Sequence, residues 1–118
     1  MAYVDGFLLA IPARKLALYR RISTKAGKVW MDHGALEYRE CVGDHLVQKG
    51  SAAFQKRVKA KRGEVVVFSW IVYKSRAHRD KILPKIMQDK RLTSMGAKDM
   101  PFDMKRMSYG GFKVLVDM

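Results

Sequence analysis

The 118-residue chain is long enough for a single domain with one hydrophobic core, residues 1–118, and too short for two. Hydrophobic residues make up 48% of the sequence and charged residues 30%, a balance that excludes a disordered chain. Lys and Arg outnumber Asp and Glu by 24 to 11, so the net charge is +13. This charge predicts salt-sensitive attraction to polyanions and does not by itself indicate a specific partner.

The cysteine content and the apolar segments indicate a cellular compartment. The single cysteine, Cys41, excludes an internal disulfide and a cysteine-based zinc cluster. A lone thiol suits a reducing compartment, and no signal peptide is visible, so we expect a cytoplasmic protein. No apolar run approaches the ~18 residues that a membrane span requires, and no membrane association is expected.

The first half of the chain predicts a strand, a helix and a second strand. Tyr3–Ala10 is aromatic and aliphatic, which is typical of a strand, and Pro12 closes it. Arg14–His33 has apolar residues at steps of three and four, which predicts a helix that stops at the following glycine. Ala35–Val42 alternates between apolar and polar residues and predicts a second strand.

The second half repeats this order after a polar and basic loop over residues 43–63, with a short helical turn expected around 52–59. Glu64–Tyr73 is the strongest predicted strand, and Ser75 is a suitable N-cap for a helix that continues to about Gln88. Pro84 inside that helix predicts a kink or a late start. Residues 89–104 are expected to be irregular.

The last predicted strand is Met107–Val116, in which the pair Gly110 and Gly111 indicates a bulge or a close approach by another group. The predicted order of strand, helix, strand, strand, helix, strand is that of the α+β, ferredoxin-like split βαβ fold, with two helices on one face of a four-stranded antiparallel sheet. Because the third strand is apolar on both faces, two helices leave one apolar face uncovered. We therefore expect a homodimer that closes sheet to sheet as a dimeric α+β barrel.

Four separated segments of the sequence also resemble a known family. They are Tyr3–Phe7 (YVDGF), His33–Val42 (HGALEYRECV), Phe68–Lys81 (FSWIVYKSRAHRDK) and Met100–Met107 (MPFDMKRM), the last followed by Tyr109–Phe112 (YGGF). Together they resemble the YbaA-like family of small bacterial proteins, whose function is unknown. The resemblance implies a dimeric ferredoxin-like α+β barrel. It supplies no reaction and therefore no catalytic residues.

Glu37 and Arg39 form the first candidate site. They share the strand face opposite Leu36 and Tyr38, so they point into the barrel between subunits if the Leu36 side packs on the helices. Glu37 is then a candidate general base and Arg39 a candidate clamp for an anionic group. The alternative, which we favour about two to one, is an interfacial ion pair that fixes the dimer register.

The start of the second predicted helix forms another candidate site. His78 and Arg79 lie in its first turn together with Arg76. The N-terminus of a helix can hold a phosphate or a carboxylate, and the two arginines would add positive charge to such a site. The alternative is a solvated first turn. Trp70 is a candidate apolar wall of a ligand pocket, although aromatic side chains at strand spacing more often belong to the core.

The sequence predicts neither a metal nor a cofactor. Three scattered histidines lack metal-ligand spacing, and His33 is better explained as a residue that caps the first helix. Gly110–Gly111 lacks the fingerprint of a nucleotide-binding loop. The five cations of Lys56–Arg62 have no interleaved aromatic ring, so any nucleic-acid binding there is expected to be weak and non-specific.

Three functions remain open at this point. The first is a homodimer that binds a small polar or aromatic metabolite between sheet and helices, either as a binding protein or as a cofactor-free enzyme. Glu37, Arg39, Trp70, His78 and Arg79 are its candidate site residues. The second is weak polyanion binding through the basic surface. The third is a structural or interaction protein whose barrel is filled by side chains.

Overall fold

A computed structural model describes residues 1–96 and 100–118. Its elements follow the predicted order, with short additional helices between them. The strands are β1 (Tyr3–Pro12), β2 (Glu37–Val42), β3 (Glu64–Tyr73) and β4 (Ser108–Lys113). The helices are α1 (Leu16–Asp32), α2 (Phe54–Arg57), α3 (Arg76–Met87) and α4 (Lys90–Thr93), with 3₁₀ turns at Ala13–Lys15 and Met104–Arg106.

The four strands form one antiparallel sheet in the order β2-β3-β1-β4. This is the strand order of the split βαβ fold, so the predicted fold class is confirmed. The two long strands, β1 and β3, occupy the centre and pair along their full length, from Tyr3 opposite Tyr73 to Pro12 opposite Glu64. The register therefore decides which side chains share a face.

One face of the sheet, which we call the helix face, packs against α1 and α3. Ile71 and Tyr73 of β3 form a buried cluster there with Val29 of α1 and with Ile82 and Ile86 of α3. A second buried cluster on this face joins β1, β3 and α1; it contains Leu9, Ile11, Tyr19 and Val67. These odd-numbered strand positions alternate with the residues of the opposite face, as the strand period of two requires.

The opposite face, which we call the open face, is partly covered by the chain itself. Ala10 and Val66 are buried there against Val58, which follows α2. No periodic pattern in residues 43–63 predicted that this segment folds back on the sheet. Elsewhere on the open face Val4, Leu8, Trp70 and Val72 are half-buried, and Phe68 and Phe112 are exposed.

The helix with Pro84 starts directly after Ser75, the predicted N-cap, whose side chain accepts a hydrogen bond from the His78 amide. Of the two predicted effects of Pro84, a kink or a late start, the late start is therefore absent. Two boundary predictions were wrong. Residues 89–104, predicted to be irregular, contain α4 and the start of a 3₁₀ turn; positions 97–99 of that stretch lie outside the described residues. The last strand, predicted to continue to Val116, ends at Lys113. Lys113 pairs with Tyr3, and because β1 begins at Tyr3, residues beyond Lys113 have no β1 residue to pair with.

Candidate functional site

Three of the predicted site residues lie together on the open face. Arg39 of β2 lies directly opposite Trp70 of β3, and Glu37 precedes Arg39 on the same face of β2. The Trp70 indole Nε1 donates to Glu37 Oε1 over 3.1 Å, and Arg39 Nε lies 3.1 Å from the same oxygen. The Arg39 side chain is 61% exposed and that of Glu37 is 40% exposed, so water screens the pair.

The two candidates at the start of α3 are placed apart from this group. His78 Nδ1 accepts a hydrogen bond from the Lys74 amide over 3.1 Å, which gives the imidazole a structural role at the turn before the helix. Arg76 is exposed, whereas the Arg79 side chain is only 18% exposed and reaches Asp5 in the middle of β1. The Arg79 guanidinium thus bridges two carboxylates: Nη2 faces the buried Asp5, and Nη1 donates a hydrogen bond over 2.8 Å to the exposed Asp80 of the same turn.

His33 ends α1, as predicted, and joins it to α4. Its Nε2 lies 2.9 Å from Asp89 Oδ2, and Arg91 binds both Asp89 and Asp32. Hydrogen bonds from Arg91 and His33 hold the pKa of the Asp89 carboxyl well below its usual range. This network fixes α4 to the end of α1.

The described residues hold no group of three or more His, Cys, Asp and Glu side chains arranged for a metal ion. No helix among them is long and apolar enough to cross a membrane. The cations of Lys56–Arg62 are exposed on α2 and the residues that follow it, where they form part of the basic surface.

A cavity of about 510 Å³ lies between the helix face of the sheet and the helices. Its floor includes Phe7, Ser69 and Ile71, and α1 contributes Ile22 and Ala26 to the wall. Arg39 and Trp70 border it as well, although strand alternation directs their side chains to the open face. Five of the eight methionines of the chain also line it: Met87, Met95, Met100, Met104 and Met107.

Asp5 is the most buried polar residue of this cavity. It lies in the middle of β1, opposite Ile71 on one side and Gly111 on the other, and is 1% exposed. Its Oδ1 atom lies 3.3 Å from Arg79 Nη2, in a geometry that makes no hydrogen bond, and no other described residue donates to it. A buried carboxylate oxygen without a donor is uncommon, because burial removes its bonds to water.

Gly111 makes the approach of Arg79 to Asp5 possible. A Cβ atom at this position would lie 2.7 Å from Arg79 Nη2 and would overlap the Tyr3 hydroxyl. The sequence predicted a bulge or a close approach at Gly110–Gly111, and the structure shows a close approach at Gly111, by Tyr3 and Arg79. The Arg79 guanidinium lies 5.1 Å from the centre of the Tyr3 ring, a cation–π distance.

Phenol groups surround the Asp5 carboxylate. Burial, then the negative charge of Asp5 and, more weakly, hydrogen bonding to its carboxylate raise the pKa of the Tyr73 and Tyr109 hydroxyls, whereas Oδ1 itself accepts no hydrogen bond from any residue that the structure describes. Burial is the largest influence on Arg79 and opposes its charged form, but Asp5, Tyr109, Asp80 and Tyr3 together outweigh it and raise the pKa of the guanidinium. Asp5 therefore lies among one permanent cation and phenols that stay protonated at neutral pH.

Glu40 is a second carboxylate on the helix face, and its oxygens are occupied. Oε1 accepts a hydrogen bond from the Tyr19 hydroxyl over 2.7 Å, and Oε2 accepts one from Tyr38 over 2.9 Å. Burial and the charge of Glu40 raise the pKa of both phenols, so they remain donors. A wider cleft of about 720 Å³ between α1 and β2 shares these residues, but Asp5 does not line it.

Asp5 was not among the predicted site residues, although the sequence contains a signal for it. Aspartate is depleted in strands, and alternation along Tyr3–Ala10 places Asp5 on the same face as Tyr3, Phe7 and Leu9. A charged residue in a core-facing position is normally paired, which predicts a buried cation nearby. The identity of that cation, Arg79, required the fold.

Comparison with known proteins is consistent with this fold. Residues 2–104 match the family model described as a protein of unknown function, DUF1428. The uncharacterized protein YbaA of Escherichia coli K12 and that of Shigella flexneri are each 44% identical over 117 residues, covering 99% of both chains. The fold is similar to the crystal structure of an uncharacterized NIPSNAP domain protein from Burkholderia xenovorans, with a TM-score of 0.59, 14% identity, and 95% and 93% of the two chains covered. The chain belongs to the DUF1428 family.

Proposed function

We propose that this member of the DUF1428 family is a cytoplasmic homodimer that binds a small aromatic molecule in the cavity between its sheet and its helices. The observation that carries the proposal is the cavity of about 510 Å³, which is lined by the buried Asp5 carboxylate, whose Oδ1 accepts no hydrogen bond from the described part of the chain. Pockets for small ligands measure roughly 300–1,000 Å³ and combine apolar walls with a few polar groups, and this cavity has both properties.

The composition of the wall supports an aromatic ligand. The Phe7 and Tyr109 rings stack at 4.8 Å, nearly parallel, and both line the cavity. Methionine side chains are unbranched and polarizable, so they adapt to the shape of a ligand and make favourable contacts with aromatic rings. If the protein is a cofactor-free enzyme, Asp5 is the better-placed general base, because Glu37 lies exposed on the other face of the sheet.

A thermal-shift screen of small aromatic compounds tests the proposal when it is combined with a variant that fills the cavity. Ala26 of α1 lines the cavity, so A26F is expected to abolish the stabilisation by every compound that binds there. Ala17, exposed on the same helix, supplies the matched control A17F, which is expected to retain the shifts. The proposal is wrong if no compound raises the melting temperature, or if A26F and A17F respond alike.

The dimer part of the proposal is supported by the open face and by the end of the chain. Phe112 is 61% exposed on that face. Leu115, which follows the end of β4, is 92% exposed. A two-fold interface needs a surface that complements itself, and Glu37 and Arg39 offer both signs of charge beside the apolar residues. A second copy of the chain is therefore the occupant we propose for this face.

Sedimentation velocity tests the dimer directly. The wild-type protein is expected to sediment at twice the 13.5 kDa of one chain, and F112K is expected to sediment as a monomer because it places a charge in the interface. V47K is the matched control, since Val47 is exposed in the 43–63 segment. A wild-type protein that stays monomeric at micromolar concentration contradicts this part of the proposal and leaves the cavity within one chain unaffected.

A further inference from the structure

The geometry around Asp5 points to the chemical class of the ligand, an inference that rests on the proposed function. We propose that the cavity selects an aromatic molecule that carries a neutral hydrogen-bond donor, such as a phenolic hydroxyl, and that this donor binds Asp5 Oδ1. Aromatic carboxylates of the same shape are rejected. Asp5 is thus the specificity-determining residue of the cavity.

One oxygen of the Asp5 carboxylate lacks a hydrogen-bond donor among the residues that the structure describes. Asp5 is almost completely buried and its Oδ1 has no hydrogen bond within the described residues. A hydrogen bond to an ionised group is stronger than one between neutral groups, and a buried acceptor gains more from it because no water competes. A ligand hydroxyl that reaches this oxygen supplies the bond that the folded chain leaves unmade.

Arg79 determines which charge the hydrogen-bond donor of the ligand can carry. Its guanidinium already balances the Asp5 carboxylate at 3.3 Å, so a cationic ligand would place a second positive charge beside it in a poorly solvated site. An anionic ligand would instead face the Asp5 carboxylate. A neutral donor avoids both costs and is therefore favoured over an ammonium or a carboxylate group.

The other carboxylate that lines the cavity does not offer an equivalent position. Glu40 accepts hydrogen bonds from Tyr19 and Tyr38, one on each of its oxygens. The two phenols remain protonated at neutral pH because burial and the Glu40 charge raise their pKa. A ligand hydroxyl would have to displace one of these bonds at Glu40, whereas at Asp5 it displaces none.

Three naphthalene compounds of nearly equal shape separate this inference from the proposed function. Naphthalene, 2-naphthol and 2-naphthoate are titrated against the full chain at neutral pH by calorimetry or ligand fluorescence. We expect 2-naphthol to bind about tenfold more tightly than naphthalene, because its hydroxyl adds one hydrogen bond to a charged acceptor. We expect 2-naphthoate to bind no better than naphthalene.

Variants then assign the preference to a residue. D5A is expected to bind naphthalene and 2-naphthol with similar affinity. Because D5A removes the buried partner of Arg79 and leaves only the exposed Asp80 among the described carboxylates, the double variant D5A/R79M removes both buried charges and keeps the measurement possible if the single variant unfolds. E37Q tests the competing carboxylate on the open face and is expected to leave the preference for 2-naphthol unchanged.

The outcomes are distinguishable. If 2-naphthol and naphthalene bind wild-type protein equally well, the cavity stands and the role of Asp5 is overturned. The same holds if 2-naphthoate binds most tightly, or if E37Q rather than D5A removes the preference. If none of the three compounds binds, the proposed function fails together with the inference. A preference for 2-naphthol that disappears in D5A or in D5A/R79M supports both.

Discussion

The Asp5–Arg79 pair on the helix face and the Glu37–Arg39 pair on the open face have similar distances and opposite surroundings. Their charged atoms are 3.3 Å and 3.1 Å apart. Asp5 is buried, whereas Glu37 and Arg39 are exposed to water. The comparison shows that proximity of an acid and a base does not identify a binding site. Burial and an unmet hydrogen bond distinguish the helix face as the place where a ligand would gain the most.

The largest expected difference between the two faces is in stability. R79M leaves the buried Asp5 carboxylate without its cation and is expected to lower the free energy of unfolding by about 3 kcal/mol. R39M removes an exposed partner, so the expected loss is under about 1 kcal/mol. Urea unfolding monitored by tryptophan fluorescence measures both. Equal losses would mean that the helix face does not isolate its ion pair from water.

A smaller difference is expected at the adjacent glycines of β4. Gly111 faces Tyr3 and Arg79, so G111A is expected to cost about 1–3 kcal/mol through crowding and displacement of the guanidinium. The Cβ of G110A would meet only the Phe112 ring, at an ordinary 3.9 Å, and a change within about 0.5 kcal/mol is expected. If G110A proves as destabilising as G111A, steric space beside Arg79 is not the reason for the glycine pair.

The sequence predicted the fold well because its periodic patterns are local. Glu64–Tyr73 has the bounds predicted for it, and Ser75 caps the following helix as expected. The end of β4 was missed because the pairing partner, rather than the composition of residues 114–116, decides where that strand stops. The covering of Val66 by Val58 was missed because it depends on a contact between segments that share no periodic pattern.

The candidate site was less predictable than the fold. Alternation correctly placed Glu37, Arg39 and Cys41 on one face, and the register adds Trp70 to that face. Alternation within a strand cannot predict which helix side chain reaches that strand. The contact between Arg79 of α3 and Asp5 of β1 therefore could not be predicted from it. The methionine wall is also non-local, since its members come from α3 and from the segment between α4 and β4.

The central claim is that a ligand enters the helix face, and methyl NMR with carbon-13-labelled methionine tests it most directly. Titration with 2-naphthol is expected to shift the methyl signals of the methionines that line the cavity: Met87, Met95, Met100, Met104 and Met107. Met1 and Met118 are expected to stay unchanged, and Met31 reports on the neighbouring wider cleft. Shifts confined to Met31, or saturable binding with no shift among the five cavity methionines, would contradict the account.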